Sequence, residues 1–311
     1  MSERGLPENY FRYPRRGRRL DHDWFGRRLM HDATPFAWPG GKKLAVWIGM
    51  TLEHFPIDMS GLPFMPTGGM VRPAPSYWDY TQRDYGNRIG AYRLFEAFDA
   101  HAIRPDIIAN LAALERHPAL TAELDRRGLD VIAGGLDMTC LHHADLPEAA
   151  ERAMISDCLD GLHALTGKRP RGWLGPGQSV SPRTFALLAE AGVDHALDLN
   201  NDELPYDIAV PFGRLSSLPV NYELSDRRIM VELGQSAACY RAQIEAACAR
   251  LAREATPQAP RLLMVMLSPW VSGQPFRIAE IEALLATLAA EAEAVFLGAG
   301  AIMDASRNPF A

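Results

Sequence analysis

Short apolar segments alternate with helical segments along most of this 311-residue chain. The apolar segments are bounded by polar residues or glycine and are too short for typical helices, so they predict buried strands. They lie at 44–50, 106–110, 129–133, 172–173, 195–199, 217–220, 229–233, 262–267 and 295–297. Helical spacing between them predicts helices at 90–100, 118–127, 147–166, 183–191, 239–254 and 278–292. This alternation predicts an α/β protein with a parallel sheet and right-handed crossovers, and its length favours a barrel over a short open sheet.

Composition limits the class of protein further. Hydrophobic residues make up 48% of the chain, which is enough for a sizeable core. A net charge of −6 provides no basic field, so a nucleic-acid partner is not expected. No apolar run is long enough to span a membrane, and the Arg-rich N-terminus lacks the apolar stretch of a secretory signal. The four cysteines show no CxxC spacing, which is typical of reduced thiols, so we predict a cytoplasmic protein.

The chain divides into two parts of unequal size. Residues 1–42 are rich in Arg, Pro and Gly with aromatic residues between them, which predicts an arm that wraps the barrel or a neighbouring subunit. Residues 43–311 carry the strand and helix pattern and are predicted to form one barrel domain. The arm also favours a homo-oligomer.

Active sites of parallel barrels lie at the C-terminal ends of the strands, so the residues after each predicted strand are candidates for function. These candidates lie in seven places: Glu53 and His54; Asn110; 137–143; 173–178; 198–203; Glu223 and Asp226; and 268–277. Glu53 follows the first strand, where a buried carboxylate could activate water, although a solvated Glu is the commoner outcome.

Several of these segments resemble one protein family. The resemblance is carried by Glu53, by Gly134-Gly135-Leu136-Asp137-Met138, and by the segments at 83–90, 169–177, 198–206 and 267–275. In this order they resemble the polysaccharide deacetylases of carbohydrate esterase family four, and most closely the branch of the allantoinases and cyclic imide hydrolases. The resemblance covers about 38 to 301 and implies a distorted seven-stranded (β/α) barrel, assembled as a dimer or tetramer.

The resemblance also implies histidines that this chain does not have. Relatives usually carry His at the positions of Gly134 and Ser268, and the deacetylases place a second metal-binding His at Met138. Glycine has no side chain and a thioether is a poor Zn²⁺ ligand, so we predict no zinc here and no other cofactor. The nearby Cys140, His142 and His143 are not expected to rebuild a metal site.

The resemblance implies roles for further residues. Glu53 would act as the base, with Asp198 and Asp202 as catalytic partners that hold a substrate N–H or orient the reaction. Arg88 would bind a substrate oxygen as a planar fork. The remaining predicted substrate-binding residues are Tyr85, Asp137, Met138, Trp173, Ser268, Trp270 and Gln274.

The residues leave several functions open. The first is a metal-independent hydrolase of non-peptide C–N bonds in a small cyclic amide, imide or ureide, in which no general acid is assigned. The second is a catalytically inactive paralogue that serves as a binding module or as the partner subunit of an active homologue. A metal-dependent deacetylase, or a lyase or isomerase with a relocated site, is the third. The substrate itself is not determined by the sequence.

Overall fold

A computed structural model describes residues 22–26, 36–58 and 75–307. Nine strands lie within these ranges: β1 Leu44–Leu52, β2 Asp106–Ala109, β3 Val131–Ala133, β4 Gly172–Trp173, β5 His195–Ala196, β6 Tyr206–Ile208, β7 Leu215–Ser217, β8 Arg261–Leu267 and β9 Ala294–Phe296. The α-helices are α1 Tyr77–Tyr85, α2 Ala91–Asp99, α3 Leu111–Arg116, α4 Pro118–Arg127, α5 Glu148–Thr166, α6 Thr184–Glu190, α7 Ala237–Glu254, α8 Pro269–Ser272, α9 Ile278–Ala289 and α10 Ala299–Arg307.

The strands form one curled sheet in the order β6-β7-β5-β4-β3-β2-β1-β8. Seven of them, β7, β5, β4, β3, β2, β1 and β8, run parallel in sequence around the sheet. β6 adds an antiparallel edge beside β7, and β9 pairs in parallel with the first residues of β1. The predicted barrel fold is therefore confirmed, and the two extra strands raise the strand count above the predicted seven.

Burial explains why β1 is the longest strand. All nine of its residues are buried, and they pair with β8 along seven positions. Apolar side chains on both faces are typical of a parallel sheet that is covered by helices. The helices α4 and α5 end at Gly128 and Gly167, whose φ angles of 60° and 71° lie in the left-handed region that glycine adopts without strain.

Some predicted elements differ from the structure. The segment 229–233 was predicted as a strand but forms part of a π-helical turn at Arg227–Glu232, with Ile229 and Met230 buried. Short apolar runs fit either a strand or a buried helical turn, which explains the error. The predicted strand at 217–220 lies slightly earlier, in β7, and β6 was not predicted at all.

Most of the predicted N-terminal arm falls outside the described residues. Of the parts that are described, Trp24 packs edge-on against Phe185 at 4.6 Å, and Trp38 is fully buried with its indole N–H donating to the Arg261 carbonyl oxygen. The boundary between arm and barrel stays a prediction. No helix in the described ranges combines the length and the apolar character that crossing a membrane would require.

A packing motif joins α8 to the helices before it. A π-helical turn, Gly86–Gly90, connects α1 and α2. A Cβ at Gly90 would lie 2.1 Å from the Pro269 carbonyl oxygen, and one at Gly86 would lie 2.7 Å from the Trp270 nitrogen. Both glycines therefore allow the backbones to approach closely, and this contact places α8 beside the end of β1.

Asp106 ties β1, β2 and α10 together, and we expect its loss to destabilise the barrel. Its Oδ2 accepts hydrogen bonds at 2.6 Å from the Trp47 indole N–H and from the Ala299 backbone N–H. Asp106→Ala leaves both buried donors without an acceptor, which should lower the free energy of unfolding by about 3 kcal/mol. Denaturant unfolding measures this. The matched control Asp130→Ala, which breaks an exposed pair with Lys168, should change the free energy by less than about 0.5 kcal/mol.

Candidate functional site

A cavity of about 260 Å³ opens at the C-terminal ends of the central strands. Its apolar wall comes from Leu52, Ile108, Met138, Leu174, Pro176 and Met266. Its polar side chains are Thr51, Glu53, Asn110, Gln178, Tyr222, Arg227 and Ser268. This volume is near the lower end of the range for ligand pockets, so the cavity suits a small molecule.

Glu53 lies directly after β1, as the sequence predicted, and lines this cavity. It is 9% exposed, and its Oε2 is buried with no hydrogen-bond partner among the described residues. Its backbone is fixed, because the carbonyl oxygen accepts a hydrogen bond at 2.9 Å from the Asn87 side chain. Among the described residues the buried Oε2 therefore lacks a hydrogen bond, and the carboxylate to which it belongs lines the cavity.

Two arginines share the electrostatic environment of Glu53. Burial lowers the pKa of Arg83, and the negative charge of Glu53 acts in the opposite direction. For Arg227, burial also lowers the pKa, but Glu53 and other acidic neighbours outweigh it and raise the pKa. The Arg83 guanidinium lies between the rings of Phe55 and Trp270, at 4.5 and 4.3 Å from their centroids. Arg83 is thereby held in the wall, while Arg227 lines the cavity itself.

Arg227 was not predicted from the sequence as a site residue. It begins the π-helical turn at Arg227–Glu232, where the sequence predicts a strand, so no predicted strand end leads to it. Its Nε is buried with no hydrogen-bond partner among the described residues, and the nearest carboxylate oxygen, Glu232 Oε1, lies 3.5 Å away. Because Arg227 lines the cavity, its guanidinium group is placed close to where an oxygen of a ligand would lie.

Gln178 lines the cavity in a strained conformation. Its φ of 54° lies in the left-handed region, which is uncommon for a residue other than glycine. Its side-chain Nε2 is buried and has no hydrogen-bond partner among the described residues. Strained residues persist where the surrounding structure holds them, and they are frequent at binding sites. The segment 173–178 was among the predicted strand-end candidates, but Gln178 was not singled out.

Two buried aspartates lie immediately behind the cavity wall. Burial raises the pKa of Asp198 to about 7, and its Oδ1 accepts a 2.7 Å hydrogen bond from the backbone of Gly175, which lines the cavity. Burial raises the pKa of Asp226 to about 6, and its Oδ2 accepts a 2.7 Å hydrogen bond from the backbone of Ser268. Asp198 thus lies adjacent to the cavity and does not line it. A catalytic partner that touches the substrate would have to line the cavity.

The cavity residues do not form the metal site that the resemblance implies. A Cβ at Gly134 would lie 2.9 Å from the backbone of Ala109, so the backbone leaves no room for a ligating side chain. Met138 and Ser268 do line the cavity, but with Glu53 they offer one carboxylate, a thioether and a hydroxyl. Among the residues described, no group of three or more His, Cys, Asp or Glu side chains comes together that could hold a metal. That these positions replaced histidines stays a prediction.

His142 belongs to a separate buried cluster. Its Nδ1 lies 3.2 Å from Glu151 Oε1, and the same carboxylate accepts hydrogen bonds from Ser181 and Thr184. His143 is exposed and Cys140 is half-buried, and burial raises the pKa of the Cys140 thiol. Cys140, His142 and His143 thus lie in different surroundings.

The structure places Arg88 and Tyr85 away from the cavity. Arg88 is exposed and pairs with Asp84 at 3.3 Å, one turn earlier in the same helical segment. The Tyr85 hydroxyl accepts a 2.6 Å hydrogen bond from Arg93, which also donates to the Gly273 carbonyl oxygen. The 83–90 signature thus packs against α8 through Gly86 and Gly90, and the role of Arg88 in substrate binding stays a prediction.

Five other predicted site residues are not among those that line the described cavity, and their predicted roles stay predictions. Asp137 and Asp202 accept hydrogen bonds from backbone N–H groups one or two residues further along the chain, which is the turn-capping role that Asp commonly has. Trp173 is fully buried in the core, and Trp270 packs on Arg83. Gln274 donates to the Trp270 carbonyl oxygen.

Comparisons with known proteins agree with this architecture. A Schizosaccharomyces pombe protein whose name places it among the polysaccharide deacetylases is 21% identical over 274 residues, which is 80% of this chain and 85% of that protein. The PuuE allantoinase structure superimposes with a TM-score of 0.78 at 22% identity, covering 91% of this chain and 96% of the other. A Mycobacterium smegmatis structure, also named as a polysaccharide deacetylase, gives 0.75 at 22% identity, with 88% and 94% covered. No family model matches the chain.

These comparisons therefore define the fold of the chain. The chain has the half-barrel fold of the polysaccharide deacetylase superfamily, and the comparisons support the resemblance found in the sequence. The same fold occurs in deacetylases and in an allantoinase.

Proposed function

We propose that this chain is a hydrolase of non-peptide C–N bonds that opens a small cyclic amide, imide or ureide without a bound metal. The single observation that carries the proposal is Glu53, whose carboxylate lines a small cavity with one oxygen buried and without a hydrogen-bond partner. A carboxylate held in this way can take a proton from water as the water attacks a carbonyl carbon. The occurrence of an allantoinase among proteins of this fold supports a ring as the substrate.

Two donors complete this chemistry, and both belong to cavity-lining residues. Gln178 Nε2 has no hydrogen-bond partner among the described residues, and Arg227 Nε has only its ion pair with Glu232 at 3.5 Å. A ring carbonyl oxygen would accept from one or both, and its negative charge would grow during the attack of water. The apolar wall of Met138, Leu174 and Met266 would contact the flat face of the ring.

Incubation of the purified chain with hydantoin, dihydrouracil, succinimide and glutarimide tests this proposal. We expect at least one of these rings to be opened, with proton NMR following the open-chain product, and the rate to be unaffected by a chelator. An activity that a chelator removes and Zn²⁺ restores would contradict the metal-independent mechanism. Absence of ring opening with all four would contradict the proposed function.

The cavity composition also favours a second candidate, a catalytically inactive binding protein. No imidazole is among the side chains that line the described cavity, so it offers no side chain with an ordinary pKa near neutrality as an acid. Such a protein would bind the rings without opening them and would raise its melting temperature in their presence. The predicted dimer or tetramer, and an association with an active paralogue, stay predictions.

A further inference from the structure

Regular strand pairing ends just before Glu53. The parallel ladder between β1 and β2 finishes at the pair Leu52 and Ala109, and the Asn110 backbone N–H donates to the Leu52 carbonyl oxygen at 3.0 Å. The ladder does not reach Glu53 or His54, although both residues are buried. Buried peptide groups need hydrogen bonds, so side chains have to supply what the sheet does not.

Two buried asparagines bind the peptide group that joins Glu53 to His54. The Asn87 side chain donates to the Glu53 carbonyl oxygen at 2.9 Å. Asn110 Oδ1 accepts a hydrogen bond at 2.8 Å from the His54 backbone N–H. The oxygen and the N–H belong to the same peptide group, which is therefore held at both its polar atoms by side chains that come from two different parts of the fold.

Both asparagines are fixed by contacts that do not involve Glu53. Asn110 Nδ2 donates to the carbonyl oxygen of Gly134, directly after β3, at 2.5 Å. A Cβ at Gly134 would lie 3.2 Å from the Asn110 nitrogen and 2.9 Å from the Ala109 carbonyl oxygen, so glycine allows this close approach. Asn87 is 4% exposed and lies in the π-helical turn whose two glycines pack on α8.

We propose that Asn87 and Asn110 are positioning residues for ring opening, which clamp the peptide group after Glu53 and so fix where its carboxylate stands in the cavity. The inference rests on the proposed function. In a planar trans peptide group the oxygen and the N–H point in opposite directions, so binding both prevents rotation of the backbone from which the Glu53 side chain extends. A base must lie within hydrogen-bond reach of its water, and a displacement of about 1 Å can cost about 100-fold in rate.

Asn87→Ala is the decisive variant, because Asn87 is not among the residues that line the described cavity. For whichever of the four rings the full chain opens, we expect kcat to fall about 10-fold while KM stays within about twofold of the wild-type value. Asn87→Leu, which fills the same space without an N–H donor, should give the same division between kcat and KM. Asn110→Ala should also lower kcat by about 10- to 100-fold, but Asn110 lines the cavity and so does not separate positioning from direct contact.

Asp106→Ala is the matched control for a merely structural effect. Asp106 is buried in the same strand, β2, but at the end opposite to Asn110, where it accepts hydrogen bonds from Trp47 and Ala299. Its loss should lower the melting temperature at least as much as the loss of either asparagine, because it leaves two buried donors unpaired. At a temperature where circular dichroism shows all variants to be folded, its kcat should stay within about twofold of the wild-type value.

The Glu53 carboxyl carbon provides a measurement that does not depend on turnover. In protein labelled with ¹³C at the glutamate carboxyl carbon, the resonance that is missing from Glu53→Gln belongs to Glu53. We expect this resonance to shift in Asn87→Ala and in Asn110→Ala and to keep its position in Asp106→Ala.

Two results would overturn the clamp and leave the proposed function standing. The first is ring opening with unchanged kcat in both asparagine variants and an unchanged Glu53 resonance. The second is an equal loss of kcat in Asp106→Ala, which would mean a general effect of stability. Absence of ring opening by the wild-type chain would instead overturn the proposed function, and the resonance would still decide whether the two asparagines hold the Glu53 carboxylate in place.

Discussion

Glu53→Gln is expected to abolish ring opening while the fold stays intact. Gln keeps the size of the side chain but cannot take a proton from water, so kcat should fall by about 10²- to 10⁴-fold. The Glu53 side chain makes no hydrogen bond to a described residue through Oε2, and it ends at a cavity rather than in packed core. Because the Glu53 charge also stabilises the buried guanidinium groups of Arg83 and Arg227, the melting temperature should fall, although the chain should still fold. Steady-state kinetics and thermal unfolding of the same preparation measure the two effects separately.

The matched control for this variant is Glu203→Gln. Glu203 is an exposed carboxylate in the turn after β5 and is not among the residues that line the cavity. The same loss of charge at this position should leave kcat within about twofold, because a distant exposed charge is screened by solvent. Full activity in Glu53→Gln would show that Glu53 does not activate the water. It would favour the inactive binding protein, because the ring opening seen with the wild type would then come from a contaminating enzyme.

Arg227→Met is expected to weaken substrate binding strongly. The variant keeps much of the side-chain length but loses the guanidinium, whose hydrogen bond to a ring oxygen should contribute about 1.5 to 3 kcal/mol. This corresponds to a loss of about 10- to 100-fold in kcat/KM. If Arg227 binds the ring equally well before and during the reaction, KM rises and kcat stays the same. If it stabilises the growing charge on oxygen, kcat falls.

Arg88→Met is the matched control. It distinguishes substrate binding by Arg227, which lines the cavity, from substrate binding by Arg88, which the sequence predicts. Arg88 is exposed and pairs with Asp84, so its removal should change kcat/KM by less than twofold and stability by less than about 0.5 kcal/mol. A large loss in Arg88→Met together with normal kinetics in Arg227→Met would mean that the arginine of the 83–90 signature binds substrate after all. Titration of the ring by calorimetry would show the same contrast in affinity.

Residues 87 and 88 show why local sequence was insufficient at this site. The Asn87 side chain is buried and donates to the Glu53 carbonyl oxygen at 2.9 Å, while Arg88 is exposed. Successive residues of a helix are turned by about 100° from each other, so an error of one position exchanges a buried side chain for an exposed one. The π-helical turn at 86–90 shifts this phase, and nothing in the local pattern predicted the turn.

The directions of two tryptophan side chains were likewise not predictable from local sequence. Trp173 and Trp270 both lie in segments that reach the C-terminal end of the barrel, and both were predicted to contact a ligand. Trp173 instead points into the core, and Trp270 stacks on the buried guanidinium of Arg83. Large aromatic side chains contribute much of the energy of packing, so their direction depends on the space that neighbouring elements leave for them.

The strand pattern by itself determined an α/β protein with a parallel sheet, while the family resemblance implied the barrel. The strand ends also pointed to Glu53, Met138 and Ser268, which line the cavity. The pattern could do so because buried strands have a local apolar signature, and because parallel strands bring their C-terminal ends to one side of the sheet. The tertiary structure alone decided that Arg227 and Tyr222 complete the wall, and that Asp226 lies behind Ser268. Those positions depend on the paths of loops and of a π-helical turn, which are set by contacts between residues far apart in the chain. A local pattern of polar and apolar residues contains no information about such contacts.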